Sequence, residues 1–167
     1  MAQARVARAG AHGVPPVLPR DARILVLGSF PGVASLAAGR YYAHPRNHFW
    51  PVMGAILGEP LPAMSYDHRL ARLAARGIAL WDTIVSCERK GESDQAIRNA
   101  RHAEVSPVQR ACPGVVAVAF NGNTAARAAP RWREAGYATV ALPSTSPAYT
   151  RPLAEKIEAW WALEAWL

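Results

Sequence analysis

Two cysteines, Cys87 and Cys112, are all that the 167 residues contain. They are too few for a four-thiolate zinc or iron–sulfur site and have no CxxC spacing, so they read as buried reduced thiols. No apolar run approaches the ~20 residues needed to span a bilayer. Met1–Arg20 lacks the continuous apolar stretch of a secretory signal. Its arginines, scattered among Gly and Pro, predict a flexible arm that ends near Pro19. A soluble cytoplasmic protein with one domain over 21–167 is the expectation. Lysine is almost missing too: of 19 basic residues, all but Lys90 and Lys156 are arginine.

What is present is a large apolar fraction, 51% of the chain, with six tryptophans. That supports one compact core, and the length is too short for two ordinary domains. The formal charge of +7 suits a polyanionic partner, because each phosphate neutralised releases condensed counterions. A genome rich in G and C would also favour Arg and Ala, so charge alone leaves both readings open.

Ile24–Leu27 is an apolar run too brief for a helix and ended by Gly28, which predicts a buried parallel strand. Ile78–Trp81, Val115–Phe120 and Ala138–Leu142 read the same way. Helical spacing covers Asn47–Leu57, closed by Gly58, and a segment capped by Ser65 that runs through Ala75 to Gly77. Gly122–Arg127 opens a helix that Pro130 interrupts, and Pro152–Trp166 is amphipathic. Glu88–Ser106 is polar, with Ser93 placed to cap a short helix beginning at Asp94. The alternation predicts an α/β fold, a three-layer α/β/α sandwich on a central four-stranded parallel sheet.

The unusual residues gather after these strands, in Gly28–Gly32, Trp81–Thr83, Phe120–Gly122 and Leu142–Pro147. Open parallel sheets bind ligands outside the carboxyl ends of their strands, so the four loops predict one site on one rim. Any single loop is ordinary turn chemistry.

The most specific motif is Gly28-Ser29-Phe30-Pro31-Gly32 followed by Tyr41-Tyr42-Ala43-His44-Pro45-Arg46-Asn47-His48-Phe49-Trp50. It resembles the first motif of the mismatch-specific uracil-DNA glycosylases: Gly-Ile-Asn-Pro-Gly, then an aromatic, Ala-His-Pro, and Asn-x-Phe-Trp. The variant found here is more similar to the hypoxanthine-DNA glycosylases, family 6 of the uracil-DNA glycosylase superfamily. Phe120–Gly122 and Leu142–Ala148 match that branch as well, and the resemblance runs from Arg23 to Arg151. It implies a monofunctional base-excision enzyme that acts on deaminated bases in DNA, above all hypoxanthine, without metal or organic cofactor. The absence of lysine from the four motifs argues against a Schiff-base lyase. The nearby lysine is Lys90, in a charged loop suited to phosphate.

Such an enzyme must extrude a nucleotide, stack its base and read its edge. Tyr42 matches the family's stacking aromatic, although a core tyrosine is the plainer reading. Gly28 and Gly32 let backbone approach the base closely, and Pro31 stiffens the turn. The asparagine Asn121 either faces the base edge or only forms an Asn-Gly turn. Its amide suits the O6 acceptor and N1–H donor of hypoxanthine, but an unfastened amide could flip to suit adenine. Phe30 stands where the uracil enzymes carry the Asn or Asp that positions water. Ser144, Thr145 and Ser146 replace the histidine that many of them place on the uracil oxygen.

The polar residue left to replace the lost function is Asn47, which resembles the catalytic asparagine of the hypoxanthine branch. Glycosidic cleavage is largely dissociative, so Asn47 either orients a water or donates to the leaving base. A preorganised donor is worth ~3–4 kcal/mol in other enzymes. It could also cap the Phe49–Leu57 helix. Asp82 is a general base or, preferably, a turn cap. Ser144–Tyr149, with Pro147 and Ala148, should follow the phosphate backbone, Ala148 and Tyr149 wedging into the gap. Arg46 is the leading phosphate contact, with Arg40, Arg89, Lys90, Arg98, Arg101 and Arg151 as further candidates. His44 and His48 lack a third ligand, so metal binding is not expected. The partner expected is DNA, met as a monomer. Two rivals remain: a G:U or G:T mismatch glycosylase, and a nucleotide-binding α/β module without DNA activity, against which the missing P-loop stands.

Overall fold

A computed structural model describes residues 10–91 and 93–167. Its centre is a parallel sheet of β2 (Ile24–Gly28), β3 (Ile78–Asp82), β6 (Ala117–Asn121) and β7 (Ala138–Leu142), in the order β3-β2-β6-β7. Side chains on a strand alternate between faces, and here both faces are buried. Ile24, Val26, Ile78 and Leu80 pack on one side with α2 (Phe49–Leu57), α3 (Tyr66–Ala75) and α7 (Leu153–Trp160). Leu25, Leu27, Ala79, Val118 and Phe120 pack on the other with α4 (Ser106–Ala111), α5 (Asn123–Ala126) and α6 (Ala129–Glu134). Continuous apolar runs, rather than alternating ones, follow from this double burial. The three layers are those the sequence predicts.

The strands run in register, with Gly28 beside Asp82, Leu27 beside Phe120 and Asn121 beside Leu142. All four carboxyl ends therefore meet at one rim. Pro130 sits in the first turn of α6, so it separates α5 from α6 rather than ending helical structure.

Two segments depart from the sequence reading. Glu88–Ser106, expected as a polar loop with a short helix, holds part of a second sheet. Its strands are β1 (Ala11–His12), β4 (Ile84–Arg89) and β5 (Ile97–His102), antiparallel in the order β1-β4-β5. The short helix expected from Asp94 is a 3-10 turn, Asp94–Ala96, between β4 and β5, and Ser93 Oγ caps it by accepting from Gln95 N–H. Polar side chains and two register shifts hide the alternating pattern of these strands.

The flexible arm is the second correction. Residues 1–9 lie outside the described residues, but 10–20 are fastened to the domain. Gly13 N–H donates to Val85 O, Val17 exchanges a pair of backbone hydrogen bonds with Leu80, and Tyr41 Oη donates to Val14 O and Pro15 O. Val14 is buried. Lone valines among prolines give no periodic signal, and the backbone groups that tie them are invisible in a sequence. Among the described residues no helix is long and apolar enough to cross a membrane. Both cysteines are buried and unpaired.

Candidate active site

A cavity of about 810 Å³ opens at the carboxyl rim of the parallel sheet. Gly28, Ser29, Phe30, Pro31 and Gly32 line it after β2, Asp82 after β3, and Asn121 after β6. Tyr42, Arg46 and Asn47 enter from the loop before α2, and Ser144, Thr145, Ser146, Pro147, Ala148 and Tyr149 from the loop after β7. The residues singled out in the sequence for the base pocket and the Ser144–Tyr149 loop, with Asn47, Asp82 and Arg46, thus border one space, whereas the phosphate candidates Arg40, Lys90, Arg98, Arg101 and Arg151 are not among its lining.

Gly28 is a glycine for a steric reason. A Cβ there would stand 2.5 Å from Asp82 Oδ1 and 3.4 Å from the Tyr42 hydroxyl. Those two groups are packed against the strand end, and only a bare backbone fits between them.

Tyr42 adopts a left-handed backbone, φ 54°, which is strained for a residue with a side chain. Its ring stacks on Phe49 at 3.9 Å between centroids. One ring face is therefore covered by the first residue of α2. The Tyr42 hydroxyl is buried without a hydrogen-bond partner. Burial, and next the charge of Asp82, push the phenols of Tyr41 and Tyr42 well above the ordinary range.

Asn47 Oδ1 accepts from Phe49 N–H at 2.9 Å. The N-cap position considered for Asn47 belongs to His48, which makes no side-chain cap, and Asn47 satisfies the first amide of α2 from one residue further out. With its oxygen held by backbone, the amide presents its NH2 group to other partners. His48 N–H donates to Thr145 O at 2.9 Å, which ties the loop before α2 to the loop after β7.

Asn121 is fastened at both ends by one residue. Its Nδ2 donates to Thr145 Oγ1 and its Oδ1 accepts from Thr145 N–H, each at 2.9 Å. A backbone N–H can only donate, so the amide cannot flip. This is the neighbour that the sequence could not reveal. The same two bonds leave the amide one hydrogen and one lone pair, with the Tyr42 hydroxyl as a neighbour that interacts with it.

Asp82 is 5% exposed, and its Oδ2 has no hydrogen-bond partner. No side-chain bond made by it caps the turn, so the preferred capping role fails. Residues 82–84 are instead held by backbone, Thr83 N–H to Gly28 O and Ile84 N–H to Ser29 O. Burial, with the charge of Asp94 second, pushes the Asp82 carboxyl up to about 7. Asp94 is held nearby by Ser29 Oγ at 2.9 Å.

Phe30 is buried beside Ile84 and Cys87 rather than standing free in the cavity. Arg89 lies over its ring and donates to Pro31 O at 2.6 Å. That guanidinium braces the Gly28–Gly32 loop, which differs from its expected use on phosphate. Arg40 lies over Tyr66, Arg98 donates to Gln95 O and Ile97 O, and Arg151 pairs with Glu155 at 3.7 Å. Arg46 remains exposed on the cavity wall. Tyr149 is 45% exposed and Ala148 is exposed beside it, as a wedge requires. No three His, Cys, Asp or Glu side chains among the described residues are grouped to hold a metal ion.

Sequence reasoning missed Lys156, having singled out only Lys90 as a nearby lysine. Lys156 is fully buried under the loop after β7, with Nζ donating to Tyr149 O at 2.8 Å and Ser146 O at 3.4 Å. Its desolvation pulls the ammonium below its usual range. The signal was available: Lys156 lies on the apolar stripe of α7 with Leu153, Ile157 and Trp160.

Comparison with known proteins joins this geometry to a family. The family model for the uracil DNA glycosylase superfamily matches residues 15–166. A protein of Methanosarcina barkeri named hypoxanthine DNA glycosylase is 36% identical over 149 residues, 89% of this chain and 94% of the relative. One of the same name from Methanosarcina acetivorans is 34% identical over 152 residues, 91% and 96% of the two chains. The solution NMR structure of a candidate uracil DNA glycosylase from Methanosarcina acetivorans superposes with a TM-score of 0.82 at 33% identity, covering 93% of this chain and 99% of that one. The chain belongs to the uracil DNA glycosylase superfamily.

Proposed function

We propose that this protein is a monofunctional DNA glycosylase that hydrolyses the N-glycosidic bond of deoxyinosine and releases hypoxanthine. One observation carries the reading: Tyr42, Asn47, Asp82 and Asn121 border a single cavity in a chain whose relatives bear the name hypoxanthine DNA glycosylase. The flipped nucleotide enters over the Ser144–Tyr149 loop, with Tyr149 and Ala148 filling the gap it leaves. The base meets the ring face of Tyr42 that Phe49 does not cover. Asn121, fixed by Thr145, offers its remaining hydrogen and lone pair in an order that suits hypoxanthine and opposes adenine.

Asn47 is the catalytic amide of this reading. Because its oxygen serves the helix, its Nδ2 donates to the departing base and stabilises charge there. Phe30, buried beneath Arg89, has no means to hold a water, so the usual uracil route has no counterpart in this loop. A monomer working on DNA in the cytoplasm is part of the proposal.

The test is excision from oligonucleotides carrying inosine, uracil, xanthine or a thymine mismatch. Inosine is expected to be cut best. Uracil or thymine cut faster than inosine would make the protein a mismatch-directed pyrimidine enzyme instead. Loss of DNA binding with no excision of any base would favour a nucleotide-binding module.

A further inference from the structure

We infer that Asp82 is the general acid of the reaction, a protonated carboxyl that hands its proton to the ring nitrogen N7 of the departing purine. The inference rests on the proposed excision of hypoxanthine and names a role for a group that reading leaves unused.

Asp82 closes β3 at the rim, borders the cavity and is buried, with Oδ2 unpartnered. No ion pair to it occurs among the described residues, where the salt bridges are Arg72–Glu59 and Arg151–Glu155. A buried carboxylate with neither cation nor hydrogen bonds is costly, and the neutral acid is the form such a site tolerates. A neutral carboxyl carries an O–H donor, and the other unpartnered buried group beside Gly28 is the Tyr42 hydroxyl. Gly28 lacks the Cβ that would displace it.

The groups around Asp82 reinforce this. Asp94, brought in by the 3-10 turn, adds a like charge. Tyr41 and Tyr42, from the loop before α2, are phenols held neutral by burial. The basic groups on the cavity wall are committed or peripheral. Arg89 is bonded to Pro31 O and Arg46 is exposed, while His44 Nδ1 accepts from Arg46 N–H.

The chemistry balances without a co-reactant other than water. The C1′–N9 bond breaks and its electron pair passes to the purine. The proton on Asp82 moves to N7, so hypoxanthine leaves neutral rather than as an anion. Water adds to C1′, and the proton it releases returns through solvent to the Asp82 carboxylate. Uracil has no free ring nitrogen equivalent to N7, so an acid at this position favours purines.

Single-turnover excision of inosine from duplex DNA between pH 5 and 9 tests the role, with wild type and Asp82→Asn. The wild-type rate is expected to fall as pH rises through about 7, where the Asp82 proton is lost. Asp82→Asn should be slower by about a hundredfold at low pH, the usual scale of a general acid, and should lose the alkaline fall. A thermal melt at pH 8 accompanies it, with the variant expected to be at least as stable as wild type. A second arm leaves the protein untouched: wild type should cut 7-deaza-2′-deoxyinosine far more slowly and without the pH limb. An Asp82→Asn enzyme with the wild-type rate and profile would overturn the assignment, as would a 7-deaza substrate cut like inosine. Wild type that cuts no inosine at any pH would remove the excision reading and this one together.

Discussion

At the residue scale the decisive atoms are those whose partners are already fixed. Asn47 is the clearest case, because Phe49 N–H occupies Oδ1 and the amide acts outward as a donor. Asn47→Asp keeps the acceptor and removes the donor. Its melting temperature should stay near wild type while inosine excision drops about tenfold or more. Asn47→Ala should lose the same activity and also about 1 kcal/mol of stability, the usual worth of such a hydrogen bond. Full activity in the Asp variant would point to a water-directed role. Thr145 makes a second residue-scale prediction, since its hydroxyl is the acceptor for Asn121 Nδ2 in a buried pair. Thr145→Val strands that N–H group and should cost about 1–3 kcal/mol in chemical denaturation. A cost near zero would mean that the Asn121 amide has found another acceptor.

At the element scale the working part is the Ser144–Tyr149 loop and what holds it. It is clamped from below by Lys156 on α7 and from the side by Asn121 and His48. Lys156→Met keeps the apolar stem but leaves the Tyr149 and Ser146 carbonyls without their donor. The loop should loosen, weakening DNA binding severalfold, while the single-turnover rate at saturating DNA changes less than about twofold. Unchanged affinity in a binding titration would show that the loop holds its shape without the lysine. The four parallel strands and α2, α3 and α7 were legible because long apolar runs, Ser65, Gly58 and Gly77 each have a local physical meaning. The second sheet was not. Ile84–Arg89 and Ile97–His102 carry Glu88, Arg98 and Arg101 in a pairing broken by two shifts, so neither alternation nor apolarity marks them. Residues 10–20 were misread for a related reason, since backbone hydrogen bonds to Leu80 and Val85 hold them. In the site, residue identities were legible from the motifs. The fixing partners, Thr145 for Asn121 and Lys156 for the loop, depend on chain reversals that no local pattern encodes.

At the scale of the whole molecule, net charge and buried charge pull on different observables. The +7 balance should appear in DNA affinity, with log K falling linearly against log salt at roughly 0.9 per phosphate neutralised on duplex DNA. Arg46→Ala should lower that slope by about one if it meets a phosphate, and an unchanged slope would remove it from the interface. Buried charge instead governs stability against pH. The Asp82 carboxyl titrates at about 7 in the folded chain against 3.8 for its ordinary value. Between those two values the folded state keeps a proton that the unfolded state has released. Stability therefore falls as pH rises through this window and stays at the lower level above it. Glu59 acts in the opposite sense, because its bond to Arg72 holds its carboxyl below the usual range. Its contribution is present above the unfolded value and is lost as pH falls, so the two groups partly offset one another in a single profile. Their difference is separable by subtraction. Asp82→Asn should match wild type near pH 4, where both side chains are neutral, and become progressively more stable than wild type up to pH 8. Thermal melts of the two proteins across that range measure the gap directly, and a gap that does not widen with pH would mean Asp82 is ionised and solvated in the folded molecule.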